Sequence, residues 1–415
     1  MHEASALSPP ASTDQRALRS ARWAVRMQFL ALGLVAGMWG AHVPTLKRHY
    51  GLTEGSLSWV LLAIALGAVL SLLVAGKVVG SWGSRRTTQV TVCVMGGSLA
   101  LALGWTPGPL LWVAMVVFGA SMSLLDVAIN TEGSTLEMLG ERPIMGNLHG
   151  SFSVGGMLGA LLAGGLIHVG VAEGMQLAAT GVAVALGAAL SAQAMLNLGT
   201  GHAPDMPSIE ALAPAPPAAV AANARAMRRP LWLLGVLCFA GLAIEGAMYD
   251  WGVLFLHQQV QLPQAQAAWG YAAFAGAMAV ARLSGDAVRQ HWDEARLLRV
   301  GGYLSAGAMA CVLWFAHPGV AFLGFALMGA GLAMVVPMLY NAAARLPGLD
   351  RASAIATVSV IGYTGFLLGP PVIGTLAELS NLSVALSVLV PLSALLGWGA
   401  RYLPRRKMDP GSSPG

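Results

Sequence analysis

The sequence predicts an all-α polytopic membrane protein, with about twelve transmembrane helices in two pseudo-symmetric six-helix halves. Three observations predict it. First, the chain is 56% hydrophobic and 10% charged, where a soluble domain carries about 25% charged residues. Its polar groups are too few to cover a globular surface. Second, apolar runs long enough to cross a bilayer core of about 30 Å, roughly 20 residues each, follow one another along the chain. Third, the chain repeats at an offset of 210. Trp59 then matches Trp269, Gly119 matches Gly329, and Gly155, Gly159 and Gly164 match Gly365, Gly369 and Gly374. One offset serves the second, fourth and fifth runs of each half, and both fifth runs carry a G-x-x-x-G that allows close helix approach. Two six-helix halves in parallel repeat are the build of a rocking transporter.

Residues 1–22 are polar and include Pro9, Pro10, Arg16, Arg19 and Arg22. They read as a cytoplasmic arm rather than a secretory signal, because the first apolar run continues to about Pro44 with no small-residue cleavage site. The N-terminal half, 23–198, holds spans at 23–45, 56–77, 88–106, 109–135, 144–169 and 175–197. The stretch 199–229 carries Pro204, Pro207, Pro214, Pro216 and Pro217 without apolar periodicity, as a flexible cytoplasmic linker does. The C-terminal half, 230–403, holds spans at 230–256, 265–287, 297–316, 319–344, 352–377 and 382–403. Residues 404–415 read as a cytoplasmic tail.

Lys and Arg set the expected orientation. With the N-terminus in the cytoplasm, the inside loops carry Arg85, Arg86, Arg142, Arg225, Arg228, Arg229, Arg289, Arg296, Arg345 and Arg351, and the outside loops only Lys47 and Arg48. Such asymmetry follows the positive-inside rule and places both termini in the cytoplasm and the chain in the plasma (inner) membrane. It also explains the net charge of +5 without a nucleic-acid partner. Cys93, Cys238 and Cys311 lie in apolar runs, without metal-ligand spacing, and read as small buried residues. No phosphate-binding glycine loop opens a helix, so ATP is not the energy source, and no cofactor is called for.

Several segments together carry a family resemblance. They are Leu125-Asp126-Val127-Ala128-Ile129-Asn130, His149-Gly150-Ser151-Phe152-Ser153, Glu245-Gly246-Ala247-Met248-Tyr249-Asp250-Trp251, Arg282-Leu283-Ser284-Gly285-Asp286, and the run from Gly362 to Pro371. With them, residues 25–403 resemble the major facilitator superfamily, and within it the fucose- and sugar-permease-related branch. The resemblance implies that segments one, four, seven and ten line a central cavity. The superfamily's loop signature after segment two is degraded, since Gly80 stands where an aspartate is usual, while Gly285-Asp286 keeps the acid in the second half. This implies a lopsided cytoplasmic lock. The antiporter signature of segment five lacks its proline, Gly159 being followed by Ala160, which favours uptake over efflux.

Ionisable residues inside spans are costly and mark functional positions. Glu245 lies about 22 Å from the inner edge of segment seven at 1.5 Å per residue, and no basic residue of the second half is evident at that depth. It is read as the proton-coupling or substrate-binding carboxylate, against the alternative of a neutral acid held for packing. Tyr249, one turn on, shares its face. Asp250 and His42 form a candidate pH-sensitive outer gate pair, weighed against an interfacial anchor made by Asp250 and Trp251. Asp126 and Asn130 share a helix face, and with His149 they suggest a cluster near the inner end: site, gate or structural tie. Arg282 and Asp286, four apart, read as a local tie or gate lock. Asn341 with Tyr340, and Tyr363 with Thr364, suit a hydroxylated ligand. Trp39 and Trp269 are candidates for stacking, and Glu132 and Glu137 read as solvated.

The function expected is secondary active transport of a small organic solute, coupled to protons and carried out by a monomer in the lipid bilayer as its halves rock. Proton-driven efflux of drug-like compounds is the alternative within transport, and a non-transporting receptor or scaffold the alternative outside it. An enzyme is not expected.

Overall fold

The computed structural model describes residues 15–105, 108–140, 144–196, 221–346 and 349–403. Most of the expected linker and tail lies outside them. The helices in order are α1 (Gln15–His49), α2 (Glu54–Ala100), α3 (Pro109–Gly140), α4 (Met145–His168), α5 (Glu173–Ser191), α6 (Ala221–Gln258), α7 (Gln264–Leu283), α8 (Gly285–His291), α9 (Glu294–Phe315), α10 (Pro318–Leu332), α11 (Val335–Ala344), α12 (Arg351–Leu379), α13 (Leu382–Leu386) and α14 (Leu389–Gly399). Among the described residues ten helices are long and apolar enough to span a membrane. One of them, α2, holds two spans, and the more polar α7 completes the twelve.

The boundaries follow backbone chemistry. Spans two and three, expected as separate helices, run on as α2 through Gly83, which alone is non-helical at φ 77° and ψ 158°. Positive φ suits glycine, which has no Cβ to clash. Span ten is broken into α10 and α11, and span twelve into α13 and α14. Each break has a proline behind it. Pro337 and Pro391 lack the N–H that would bond the carbonyls of Ala333 and Ser387, four residues earlier. The first helix starts at Gln15, within the stretch read as an arm, and Ala21 is already buried.

Glycines set the packing within each half. A Cβ on Gly119 would lie 1.9 Å from the Ile64 carbonyl oxygen of α2, and one on Gly329 would lie 2.1 Å from the Phe274 oxygen of α7. Ile64 and Phe274 are themselves 210 apart, so the repeat holds at the level of backbone contact. Gly155 and Gly159 of α4 sit equally close to the Leu30 and Leu34 oxygens of α1, and Gly365 of α12 to the Phe239 oxygen of α6.

The halves meet firmly at the end of the bundle carrying Lys47. Gln264 Nε2 donates to the Ala41 carbonyl (3.1 Å) and to Thr45 Oγ1 (2.8 Å). The Gly55 N–H donates to Glu378 Oε2 at 2.8 Å. A Cβ on Gly164 would meet Trp269 and Ala265, and one on Gly374 would meet Ser58 and Glu54, so these pseudo-equivalent glycines close α4 on α7 and α12 on α2. Farther along α12, Val360 and Tyr363 are 48% and 39% exposed: the α2–α12 seam parts toward the Arg86 end. There the α4–α7 pair stays in contact, Gly150 lying against Leu283.

The loops of the two halves differ in their ion pairs. In the second half Glu294 accepts from Arg289 (3.1 Å) and Arg345 (3.5 Å). The positions 210 earlier are Ser84, Val79 and Thr135, which cannot form such a triad. Two cysteines correct the sequence reading: Cys93 and Cys311 are exposed, and only Cys238 is buried.

Candidate functional site

Glu245 is 7% exposed in the middle of α6. Its Oε1 accepts from the Tyr249 hydroxyl at 2.7 Å, one helical turn on, and from Arg282 Nη2 at 3.2 Å. This corrects the expectation that no base of the second half reaches its depth. Helical side chains lean toward the N-terminus of their helix, so Arg282, near the C-terminal end of α7, reaches back into the bundle.

Arg282 is committed on three sides. Nη1 donates to Ser153 Oγ of α4 at 2.9 Å, and Nε to the Ala333 carbonyl at 3.3 Å. Ala333 is the carbonyl that Pro337 leaves free. One guanidinium therefore joins a carboxylate of the second half, a hydroxyl of the first, and the break in span ten. The expected Arg282–Asp286 tie falls on the Asp286 side chain, which lies outside the described ones.

Asp126 and Asn130 are brought together. Asn130 Nδ2 donates to both the backbone oxygen (2.8 Å) and Oδ1 (2.9 Å) of Asp126. Because α3 continues to Gly140, Asp126 lies near mid-helix and not close to the inner end as expected. His149 makes no hydrogen bond to either residue among the described residues; its ring packs edge-on to Phe29 at 5.2 Å. It is exposed although its helix is central, as a residue beside an open cleft is. Tyr363 stacks on Phe366 at 6.4 Å, and Asn341 is half-buried on α11.

The gate pair is not formed. His42 is fully buried, with Nδ1 2.9 Å from the Met38 carbonyl oxygen, and no ion pair to Asp250 is present among the described residues. The face of α1 turned to the second half is that of Gly40, whose Cβ would meet Tyr249 and Tyr271. His42, two residues on, is turned about 200° away, toward α5. Asp250 is half-buried on α6. Trp39 packs on Phe118 at 5.1 Å, and Trp269 fills the α4–α7 seam, so neither presents a free ring. Glu132 is buried and accepts from the Leu196 N–H at 2.6 Å, while Glu137 accepts from the N–H groups of Ile144 and Met145. Both are structural caps rather than solvated acids. Sequence reasoning missed Gln264 and Glu378 at the closed end; their only sign was polarity at a span edge.

Two six-helix halves, closed at one end over a polar centre and parted at the other, define a membrane transporter of the rocking type. A family profile described as Major Facilitator Superfamily matches residues 25–350, and the chain belongs to that family. It is 32% identical over 380 residues to an uncharacterized MFS-type transporter of Yersinia pestis, covering 92% of this chain and 95% of that one. Its fold is similar to the crystal structure of the nucleoside transporter NupG, with a TM-score of 0.72 at 14% identity over 91% of this chain and 99% of the other. It is also similar to the E. coli fucose:proton symporter FucP, with a TM-score of 0.61 at 12% identity over 92% and 98%. The chain is thus a membrane-spanning transporter and not an enzyme.

Proposed function

We propose that the protein is a proton-coupled secondary transporter of a small hydroxylated organic solute, importing it by alternating access as the halves 23–198 and 230–403 rock about the centre. The Glu245–Arg282 pair carries this reading, because the same guanidinium also holds Ser153 of the other half. With Glu245 ionised, Arg282 is shared between the halves. A proton on Glu245 removes the ion pair, loosens that hold and lets the seam rearrange. Tyr249, Asp126, Asn130, Asn341 and Tyr363 offer the solute its hydrogen bonds. With both termini cytoplasmic, as the arginine distribution supports, the conformation described is inward-facing, and the protein works as a monomer.

Purified protein in liposomes tests the coupling. Glu245→Gln abolishes uptake driven by an imposed pH gradient and retains exchange of bound solute. Gradient-driven uptake that matches the parent protein overturns the assignment. The solute itself is sought by thermal shift against sugars, polyols and organic acids, since a ligand raises stability by mass action.

A further inference from the structure

The repeat makes the α4–α7 seam and the α12–α2 seam pseudo-equivalent, so they can be compared position by position. At the Lys47 end a glycine closes each of them: a Cβ on Gly164 would run into Trp269, and one on its counterpart Gly374 into Ser58. Toward the Arg86 end they diverge. In the α4–α7 seam large side chains still lie on glycines. A Cβ on Gly276 would be 2.8 Å from Met157 Sδ, and one on Gly150 would be 2.6 Å from Leu283 Cδ2. At the 210 offset, the counterparts of Gly276 and Met157 are Leu66 and Leu367, and those of Gly150 and Leu283 are Val360 and Leu73. A branched side chain thus stands in the α2–α12 seam at both places where the other seam has a glycine. A large residue on a glycine lets two helix backbones approach closely. Two large residues face to face keep the axes farther apart.

The polar contacts divide in the same way. Ser153 of α4 accepts from Arg282 Nη1 of α7 at 2.9 Å. The counterparts of that pair are Tyr363 and Leu72, and a leucine has nothing to donate. Gly150 and Ser153 are buried, whereas Leu73 and Val360 are 56% and 48% exposed. The side that stands open is therefore the side whose residues cannot pack closely or bond.

We propose that the molecule opens at its Arg86 end on one side only. The α4–α7 seam is a hinge that stays shut, and the α2–α12 seam is the door by which the solute passes, with Leu73 and Val360 at its edges. The glycine contacts keep the hinge together when the Arg282 guanidinium releases Ser153. This rests on the alternating access proposed above, but on neither the solute nor its proton. Rocking that parts both seams equally is the arrangement it excludes.

Disulfide bridging in phospholipid nanodiscs tests it, with the full chain carrying Cys93→Ser, Cys238→Ala and Cys311→Ser. One protein adds Gly150→Cys and Leu283→Cys across the hinge, and another adds Leu73→Cys and Val360→Cys across the door. Leu283→Cys removes the methyl groups that a Cβ at position 150 would meet, so the first pair fits, and the second pair replaces exposed side chains. Each is oxidised with copper phenanthroline, with and without Gln264→Leu, which loosens the Lys47 end and so favours closure at the other. The hinge pair is expected to bridge fast in both backgrounds. The door pair is expected to bridge slowly in the first and faster with Gln264→Leu. If both pairs bridge slowly and both speed up, the two seams part together and the proposal is overturned. A door pair that bridges as fast as the hinge pair in the first background, or whose rate Gln264→Leu leaves unchanged, overturns it too. Because no solute or gradient is used, failure of the Glu245 coupling assignment leaves the result standing.

Discussion

Arg282 depends for its role on atoms far from it in the chain. Its carboxylate partner Glu245 precedes it by 37 residues and its hydroxyl partner Ser153 by 129. The Arg282 and Glu245 side chains are only 14% and 9% exposed, so removing one partner strands a charge in a poorly solvated place. Arg282→Leu is expected to destabilise the fold by about 3–5 kcal/mol, the range for breaking a buried pair. Adding Glu245→Gln to the same chain recovers most of it. Thermal unfolding of the single and double variants in one detergent checks this; identical midpoints would show that the two residues are not coupled. Glu245 was legible in the sequence because an acid in an apolar run is conspicuous by itself. Its partner was not, since helical spacing relates residues three or four apart and says nothing of which helices touch.

Single residues also decide where helices break and how closely they pack. Pro337 frees the Ala333 carbonyl that Arg282 takes. Pro337→Ala restores an N–H that competes for that oxygen. It is expected to straighten span ten and to reduce gradient-driven uptake while raising thermal stability; a variant equal to the parent in both measurements removes the proline from the mechanism. Glycine contacts give a sharper contrast. Gly119→Ala and Gly329→Ala place a methyl about 2 Å from a backbone oxygen, so both should lower the yield of monodisperse protein and the unfolding temperature. Gly307→Ala on α9 meets nothing within 4 Å and should instead gain about 0.5–1 kcal/mol from helix propensity. The repeat offset announced the Gly119 and Gly329 positions in advance. It did not announce the breaks, because a proline inside an apolar run leaves hydropathy almost unchanged.

Across the whole molecule, the closed end is held by few polar contacts. Gln264 alone makes two hydrogen bonds to α1 and accepts one from Arg48 at 3.4 Å. Gln264→Leu removes all three and biases the equilibrium toward opening at that end, since a conformational balance shifts by the difference in contacts between its states. Spin labels at positions 52 and 261 should then show a new, longer distance component by double electron–electron resonance. An unchanged distribution sinks the idea that this glutamine holds the end shut. The two basic residues expected outside, Lys47 and Arg48, pair with Glu54 and Glu173 at this same end.

By itself the sequence determined the class of the molecule. Composition forbids a soluble surface, run length sets the spans, and the 210-residue repeat sets two similar halves; each is a local or periodic property that needs no knowledge of contacts. It also marked Glu245 and the Asp126–Asn130 face. Tertiary structure alone decided which polar groups meet: Glu245 with Arg282 rather than alone, and His42 beside Gln176 rather than Asp250. The reason is rotational and long-range. A helix side chain's partner depends on which way each helix is turned and which neighbour it packs against, and those are settled by glycine contacts and proline breaks spread over the whole bundle.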